Sequence, residues 1–225
     1  RDMDLPSRAR MHAALGDEMR LRLIDAIWLN DRSPQELGRL LEVDSNLLAH
    51  HLDVLEEAGL ITRTVSEGDR RRRYVSARLD VLEGMVAPPR MSADTVLFVC
   101  THNSARSLFA ERLLVEMGSN AQSAGTQPAE HAHPKAVAAA AELGVDLTAS
   151  RPRPCSAVEH EPDLVVSVCD RAGESISSLR ADRLHWSIPD PVDTGRIESF
   201  RNAFAEISNR VERLSEILER EGRVT

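Results

Sequence analysis

Val96-Leu97-Phe98-Val99-Cys100-Thr101-His102-Asn103-Ser104-Ala105-Arg106-Ser107 passes from four apolar residues into a polar loop, and a helical pattern through Phe109, Leu113 and Leu114 follows. A short continuous apolar run is the mark of a strand buried on both faces, and a helix directly after it points to a parallel α/β unit. Leu164-Val165-Val166-Ser167-Val168 repeats the arrangement later in the chain. At the turn between strand and helix, five residues separate a cysteine from an arginine. Such a turn lets successive backbone N–H groups converge on one point at the helix N-terminus, where a tetrahedral oxyanion fits. Arg106 can close that cradle with a planar two-pronged donor. The same positive field favours the thiolate of Cys100, which is the form that attacks, and Ser107 is placed to donate a hydrogen bond to it. Cys100 is therefore the candidate nucleophile, and Thr101, His102, Asn103, Ser104, Ala105 and Arg106 are the candidate oxyanion-binding residues. The plainer alternative is an inert cysteine ending an apolar strand. It leaves the spacing, the arginine and the helix unexplained.

Working toward the amino terminus, Gly84-Met85-Val86-Ala87-Pro88-Pro89-Arg90-Met91-Ser92 breaks helical patterning with paired prolines and small residues, as an extended connector does. Upstream of it, apolar residues recur at helical spacing through Leu15, Met19, Leu21, Leu23, Ile24, Ile27 and Trp28, and again through Leu37, Leu40, Leu41, Leu47, Leu48, Leu52 and Leu55. Ser33-Pro34-Gln35-Glu36 is a helix start, with a serine cap, proline at the first helical position and glutamate three residues after the cap. A second start falls at Asp44 or Ser45. Gly59 ends that helix, and two alternating strands, Leu60 to Thr64 and Arg72 to Ser76, flank Ser66-Glu67-Gly68-Asp69 as a hairpin. Toward the carboxyl end, Ile197 to Leu218 reads as one long amphipathic helix.

A chain of 225 residues with 42% apolar content has room for two cores. The expectation is two domains over residues 1–83 and 94–225, joined by a linker over 84–93. No stretch is long and apolar enough to span a bilayer, and no basic segment with an apolar run opens the sequence, so no membrane association and a cytoplasmic location are expected. Three cysteines, Cys100, Cys155 and Cys169, are too few and too scattered for a disulfide framework. They read as chemistry or core. The formal charge of -8 argues against indiscriminate nucleic-acid binding, though not against a local basic patch.

From Thr95 onward the chain resembles the low-molecular-weight protein tyrosine phosphatase superfamily, which includes thiol-dependent arsenate reductases. Besides the Cys100 loop, the resemblance rests on Ser123-Ala124-Gly125-Thr126 after the second strand and on His185-Trp186-Ser187-Ile188-Pro189-Asp190-Pro191. It implies a four-stranded parallel sheet with helices, arsenate or phosphate as the bound oxyanion, and Asp190 as the acid that protonates the leaving oxygen. Without the loop, Asp190-Pro191 would read only as a turn. The family's eukaryotic-type phosphatases resemble one another in tyrosines after the Asp-Pro, whereas Val192-Asp193-Thr194-Gly195 follow here. The Asn-Ser-x-Arg-Ser form of the loop, Glu111 and Trp186 resemble the reductases.

In the thioredoxin-coupled reductases a second cysteine ends the third strand and a third follows a few residues on. Cys169 matches the second, and Asp170 to Leu179 contains none to match the third. The resemblance thus implies either a Cys100–Cys169 disulfide or attack by an external thiol, with a thioredoxin, mycothiol or glutathione system as reductant and no bound cofactor. Burial alone is the competing account of Cys169, and Cys155 matches no position in the family. Some of these reductases bind potassium, and Asn103, Glu111 and Ser123 match part of that pattern. Arg151 and Arg153 stand where oxygen ligands are required, so no metal is expected.

The amino-terminal half, across Met11 to Ser76, resembles winged-helix regulators of the ArsR type, a mainly α fold with a β-hairpin wing. The match is carried by Leu52-Asp53-Val54-Leu55-Glu56-Glu57-Ala58-Gly59-Leu60-Ile61 and by the arginine-rich wing ending in Tyr74. It implies binding of double-stranded operator DNA by a symmetric homodimer. Ser45, Asn46, His50 and His51 are candidates for base contacts, and Arg70, Arg71, Arg72 and Arg73 for phosphate contacts. A domain that has lost DNA binding is the alternative; 13 basic against 16 acidic residues up to Val86 weaken the DNA reading, and the clustering of four arginines on the wing partly restores it. Glu36 to Val43 contains no cysteine, so arsenite sensing on that helix is not expected. Taken together, the expectation is an arsenate reductase fused to a regulator. A phosphatase on the same site, or an oxyanion-responsive regulator without turnover, are the alternatives.

Overall fold

A computed structural model of the chain describes residues 4–88, 91–158, 161–176 and 181–219. It divides into two compact units, Arg1–Ser66 with Arg70–Pro89, and Glu67–Asp69 with Arg90–Thr225.

The first unit opens with helix α1 (Leu5–Leu15) and helix α2 (Glu18–Ile27). Helical periodicity runs on from Leu15 to Trp28, yet the helix breaks at Gly16. Asp17 then caps α2 by accepting from the Arg20 N–H at 3.0 Å. Helix α3 (Pro34–Leu41) carries the expected reciprocal cap: Glu36 N–H donates to Ser33 Oγ, and Ser33 N–H donates to Glu36 at 2.8 Å. A left-handed residue, Glu42 at φ 52°, turns the chain into helix α4 (Ser45–Glu57). Gly59 at φ 74° then lets Leu60 N–H reach back to Leu55 O at 3.0 Å, closing α4 where a side chain would be strained. The hairpin of strands β1 (Ile61–Val65) and β2 (Arg73–Ala77) sits one residue later than the alternation suggests. A bridge from Arg32 to Val75 adds a third segment, and helix α5 (Leu79–Leu82) follows. Leu23, Ile24, Leu37, Leu52, Leu55 and Leu60 form the core of this helix-turn-helix and wing.

In the second unit, strand β3 (Met91–Ser92) lies within the stretch expected to be a linker. It pairs in parallel with strand β8 (Leu218–Glu219), which takes the chain out of helix α10 (Ile197–Ile217). Pro89 and Arg90 of that stretch lie outside the described residues. The main elements are strand β4 (Thr95–Cys100), helix α6 (Arg106–Glu116), strand β5 (Asn120–Gly125), helix α7 (Pro134–Glu142) and strand β6 (Leu164–Ser167). Helix α8 (Asp170–Ser175), strand β7 (Asp182–His185) and helix α9 (Pro191–Thr194) complete them. Among the described residues the sheet is four-stranded and parallel, in the order β5-β4-β6-β7. Ser123, Ala124 and Gly125 lie inside β5 rather than after it.

This strand order positions the site. From β4 the chain leaves to one side to form β5, then crosses to the other side to form β6. The loops after the central strand therefore diverge and open a crevice at its carboxyl end. Cys100 is the last residue of that strand. Behind it, Phe109 of α6 stacks on Phe204 of α10 with ring centroids 4.1 Å apart, and the fully buried Trp186 lies 5.8 Å from Phe98. Aromatic packing of α6 against α10 and of Phe98 against Trp186 thus backs the crevice.

Candidate active site

The loop from Cys100 to Arg106 is held from outside by its carbonyls. Thr126, Gln127, Ala129 and His133 N–H groups donate to the carbonyl oxygens of Cys100, Thr101, His102 and Ser104 at 2.8–3.1 Å. A trans peptide points its C=O and the following N–H in opposite directions, so these contacts turn the N–H groups of Thr101, His102, Asn103 and Ala105 inward. Asn103 N–H accordingly donates to Cys100 Sγ at 3.1 Å. The α6 N-terminus beyond has no side-chain cap, which leaves its N–H groups directed at the same cradle. Gly125, beside Cys100 in register, is a glycine for a reason of space: a Cβ there would stand 2.9 Å from Thr101 O.

Asn103 holds the turn. It adopts φ 48°, a conformation uncommon outside glycine but tolerated by asparagine. Its side chain donates to Ser107 Oγ and to Ser123 Oγ, each at 2.8 Å, and accepts from the Arg153 N–H at 2.9 Å. Ser107 Oγ is 3.0 Å from Cys100 Sγ. Because Asn103 donates into Ser107, the serine's own hydrogen is free for the sulfur.

Arg106 is buried and donates to Ile188 O at 2.7 Å and to Asp190 at 2.8 Å. Burial opposes its charge, but Cys169, Cys100 and Asp190 around it raise its pKa further, so the guanidinium stays protonated. Asp190 caps α9 by accepting from Val192 N–H at 3.1 Å, with Pro191 at the first helical position. The turn that the Asp-Pro pair signals is therefore the device that brings its carboxylate to Arg106.

Cys169 caps α8, accepting from Ala172 N–H at 3.4 Å, and lies 3.5 Å from Thr101 Oγ1 on the opposite flank of the loop. Burial pushes its thiol up from the ordinary range and Arg106 opposes the shift. All three cysteines are free thiols. Cys155, for which the sequence offers no role, donates to Gly125 O at 3.5 Å at the edge of β5, and burial raises it as well. Of the loop residues, His102 is exposed while Thr101, Asn103, Ser104, Ala105 and Arg106 are buried. Glu111 accepts from Ser123 Oγ and pairs with Arg153 at 3.7 Å. Where the sequence reads Arg153 only as a cation in the wrong place, the fold makes it a partner of Glu111.

In the first unit, Ser45, Asn46 and His50 are exposed on the first turns of α4. His51 is not: it is 8% exposed and faces Asp17 at 3.7 Å, because the residue after His50 falls toward the α2 side of the helix. It belongs to the packing and not to the outer face. Arg70, Arg71 and Arg73 are exposed, while Arg72 is half-buried, donating to Tyr74 Oη at 3.3 Å and standing 3.8 Å from Glu36. Among the described residues no helix is long and apolar enough to cross a membrane.

Comparison with known proteins agrees with this division. Residues 29–72 match the MarR family, which agrees with a winged-helix regulator region of the MarR/ArsR type in the amino-terminal half. An arsenate reductase of Bacillus cereus is 34% identical over 128 residues, covering 54% of this chain and 94% of the relative. One from Bacillus licheniformis is 32% identical over 137 residues, covering 56% and 98%. The structure of the tyrosine phosphatase Wzb from Escherichia coli K30 in complex with sulphate superposes with a TM-score of 0.50 at 26% identity, covering 55% of this chain and 97% of that one. Residues 95–224, more than half of the sequence, match the model of the low molecular weight phosphotyrosine protein phosphatases, and the chain belongs to that family.

Proposed function

We propose that the chain is a thiol-dependent arsenate reductase joined to a DNA-binding winged helix. The observation that carries this reading is the second buried thiol, Cys169, on the flank of the Cys100 loop. The arsenate reductases similar to this chain over nearly their whole length support it, as does the absence of an aromatic wall after Asp190 in the sequence.

Arsenate enters the cradle and its oxygens take the inward N–H groups and the Arg106 guanidinium, displacing Asp190 from the arginine. Cys100 thiolate attacks arsenic, and Asp190, having taken a proton from the incoming arsenate, gives it to the departing oxygen, which leaves as water. A second thiol, Cys169 or a small external one, then loses its proton and attacks Cys100 Sγ. The new S–S bond forms as the S–As bond breaks, and its electron pair stays on arsenic. As(V) becomes As(III), two thiols become one disulfide, and an external thiol system returns the enzyme to its starting state. A phosphatase needs the first half alone, with water attacking a phosphocysteine, and the likeness to Wzb favours that reading.

The deciding experiment supplies the purified chain with arsenate plus thioredoxin, glutathione or mycothiol systems, and separately with p-nitrophenyl phosphate. Arsenite formation that depends on one thiol system establishes the reductase. Phosphate release without arsenite leaves the phosphatase.

For the winged helix we infer binding to duplex DNA, with α4 in the major groove and the wing arginines on phosphates, as a symmetric dimer in the cytoplasm. The exposed Ser45, Asn46 and His50 at the start of α4 support it. Replacing Arg70 and Arg73 together by alanine should lower the salt dependence of binding, the slope of log K against log salt, by about 2. Anisotropy titrations on a duplex selected by the parent chain measure it. An unchanged slope removes the wing from the interface.

A further inference from the structure

We propose that Arg153 is a positioning residue for the Cys100 nucleophile, acting through Ser123, Asn103 and Ser107. The proposal rests on the reading of Cys100 as the attacking group. Arg153 lies outside the oxyanion loop, 53 positions after Cys100, and is held beneath it by three interactions. Its backbone N–H donates to Asn103 Oδ1 at 2.9 Å, its Nε to Ser123 O at 2.8 Å, and its guanidinium faces Glu111 at 3.7 Å.

These contacts fix the direction of every hydrogen bond up to the sulfur. Since Asn103 Oδ1 is taken by a donor, its amide NH2 must be the end facing Ser107 and Ser123. Ser123 Oγ, receiving that hydrogen, spends its own on Glu111. An ionised carboxylate is the stronger acceptor and has no hydrogen to offer in return, whereas burial pushes Glu111 the other way, toward the neutral acid. Arg153 opposes that tendency. Hydrogen bonds run from Glu111 through Ser123, Asn103 and Ser107 to Cys100, and Arg153 joins this chain by its 3.7 Å ion pair with Glu111 and its bond to Ser123 O. Remove the guanidinium and two things follow: Ser123 O loses its donor, and a protonated Glu111 becomes a donor toward Ser123. The Arg153 backbone N–H still holds Asn103 Oδ1, but the Ser123 side of the clamp is loosened, and with it the N–H and O–H aimed at the sulfur.

A second feature makes the idea testable by chemical rescue. Arg153, Glu111 and Arg112 line a cavity of about 420 Å³ open to solvent on the flank of α6. A guanidinium ion is small enough to enter it and occupy the volume vacated in Arg153→Ala.

The test compares the full chain with Arg153→Ala and Arg153→Lys. Cys100 alkylation by iodoacetamide at fixed pH is followed by mass spectrometry of the Cys100 peptide, alongside kcat and KM for p-nitrophenyl phosphate and thermal melting. Arg153→Ala should slow Cys100 alkylation and kcat by about tenfold, the low end of what loss of an orienting partner costs, with a smaller change in KM. Arg153→Lys should recover part of the loss, and millimolar guanidinium chloride should recover part of it in Arg153→Ala but nothing in the parent. Alkylation within about twofold of the parent would overturn the proposal. So would a loss that follows the melting temperature and responds to neither lysine nor guanidinium, since the residue would then only hold the fold. Alkylation needs no turnover, so a parent chain inactive on both arsenate and p-nitrophenyl phosphate sinks the catalytic reading while the coupling of Arg153 to Cys100 is still measured.

Discussion

Cys100→Ser is expected to lower both arsenite formation and p-nitrophenyl phosphate hydrolysis by at least about 10⁴-fold, the scale on which removal of an attacking group acts. The scaffold should survive. The loop carbonyls are tied to Thr126, Gln127, Ala129 and His133, and Asn103 is tied to Ser107, Ser123 and Arg153, none of which needs sulfur. What is lost is the nucleophile itself. A serine hydroxyl in the same place receives the Asn103 N–H and the Ser107 hydrogen, yet it does not ionise at neutral pH as a thiol can. The cradle should still bind: orthophosphate should raise the melting temperature of parent and variant alike, because ligand stabilisation depends on affinity for the folded state and not on turnover. Initial rates and melts at matched phosphate concentrations check both halves. A variant retaining more than about a hundredth of either activity would show that the covalent route is not the main one.

Much of this site was readable in order along the chain, and the reason is local. A buried strand, a cysteine, five residues and an arginine at a helix start is a continuous segment whose geometry follows from backbone rules, and Cys100, Arg106 and Ser107 lie where those rules place them. The Ser33 cap and the Gly59 stop are legible for the same reason. What escaped is non-local. Arg153 read as a misplaced cation because sequence shows its charge but not Glu111 opposite it. Cys155 showed no role because its approach to Gly125 depends on a bridge between Pro154 and the end of β5. His50 and His51 carry equal weight in sequence, and only the packing of α4 against α2 turns one outward and the other in. The break at Gly16 was hidden by apolar spacing that continues through it, while Asp17 as a cap was the overlooked signal. Likewise β3 and β8 are two-residue strands that exist only by pairing with each other, which no local pattern announces.

Cys169→Ser should separate the two chemistries that share Cys100. Arsenate reduction consumes two electrons, and a single thiolate leaves arsenic bound to sulfur until a second thiol takes its place. Hydrolysis of a phosphoester asks nothing of that second thiol. In the unliganded state Cys169 is poised rather than reactive: it is buried, accepts the Ala172 N–H, contacts Thr101 Oγ1, and burial holds its proton while the Arg106 charge works against this. Attack therefore requires that proton to leave, so in the parent the release of arsenite should accelerate as pH rises, and the acceleration should vanish in the variant. With a thioredoxin system, Cys169→Ser should lose arsenite formation by at least about a hundredfold, while hydrolysis of p-nitrophenyl phosphate falls by less than about threefold. Peptide mapping of the parent after one turnover without reductant should find Cys100 joined to Cys169. A variant that forms arsenite undiminished with glutathione or mycothiol would assign the second attack to the small thiol and leave Cys169 as the cap of α8. In that case Cys155, the remaining thiol on the loop's other flank, becomes the control: only a loss in Cys155→Ser would keep the disulfide within the chain.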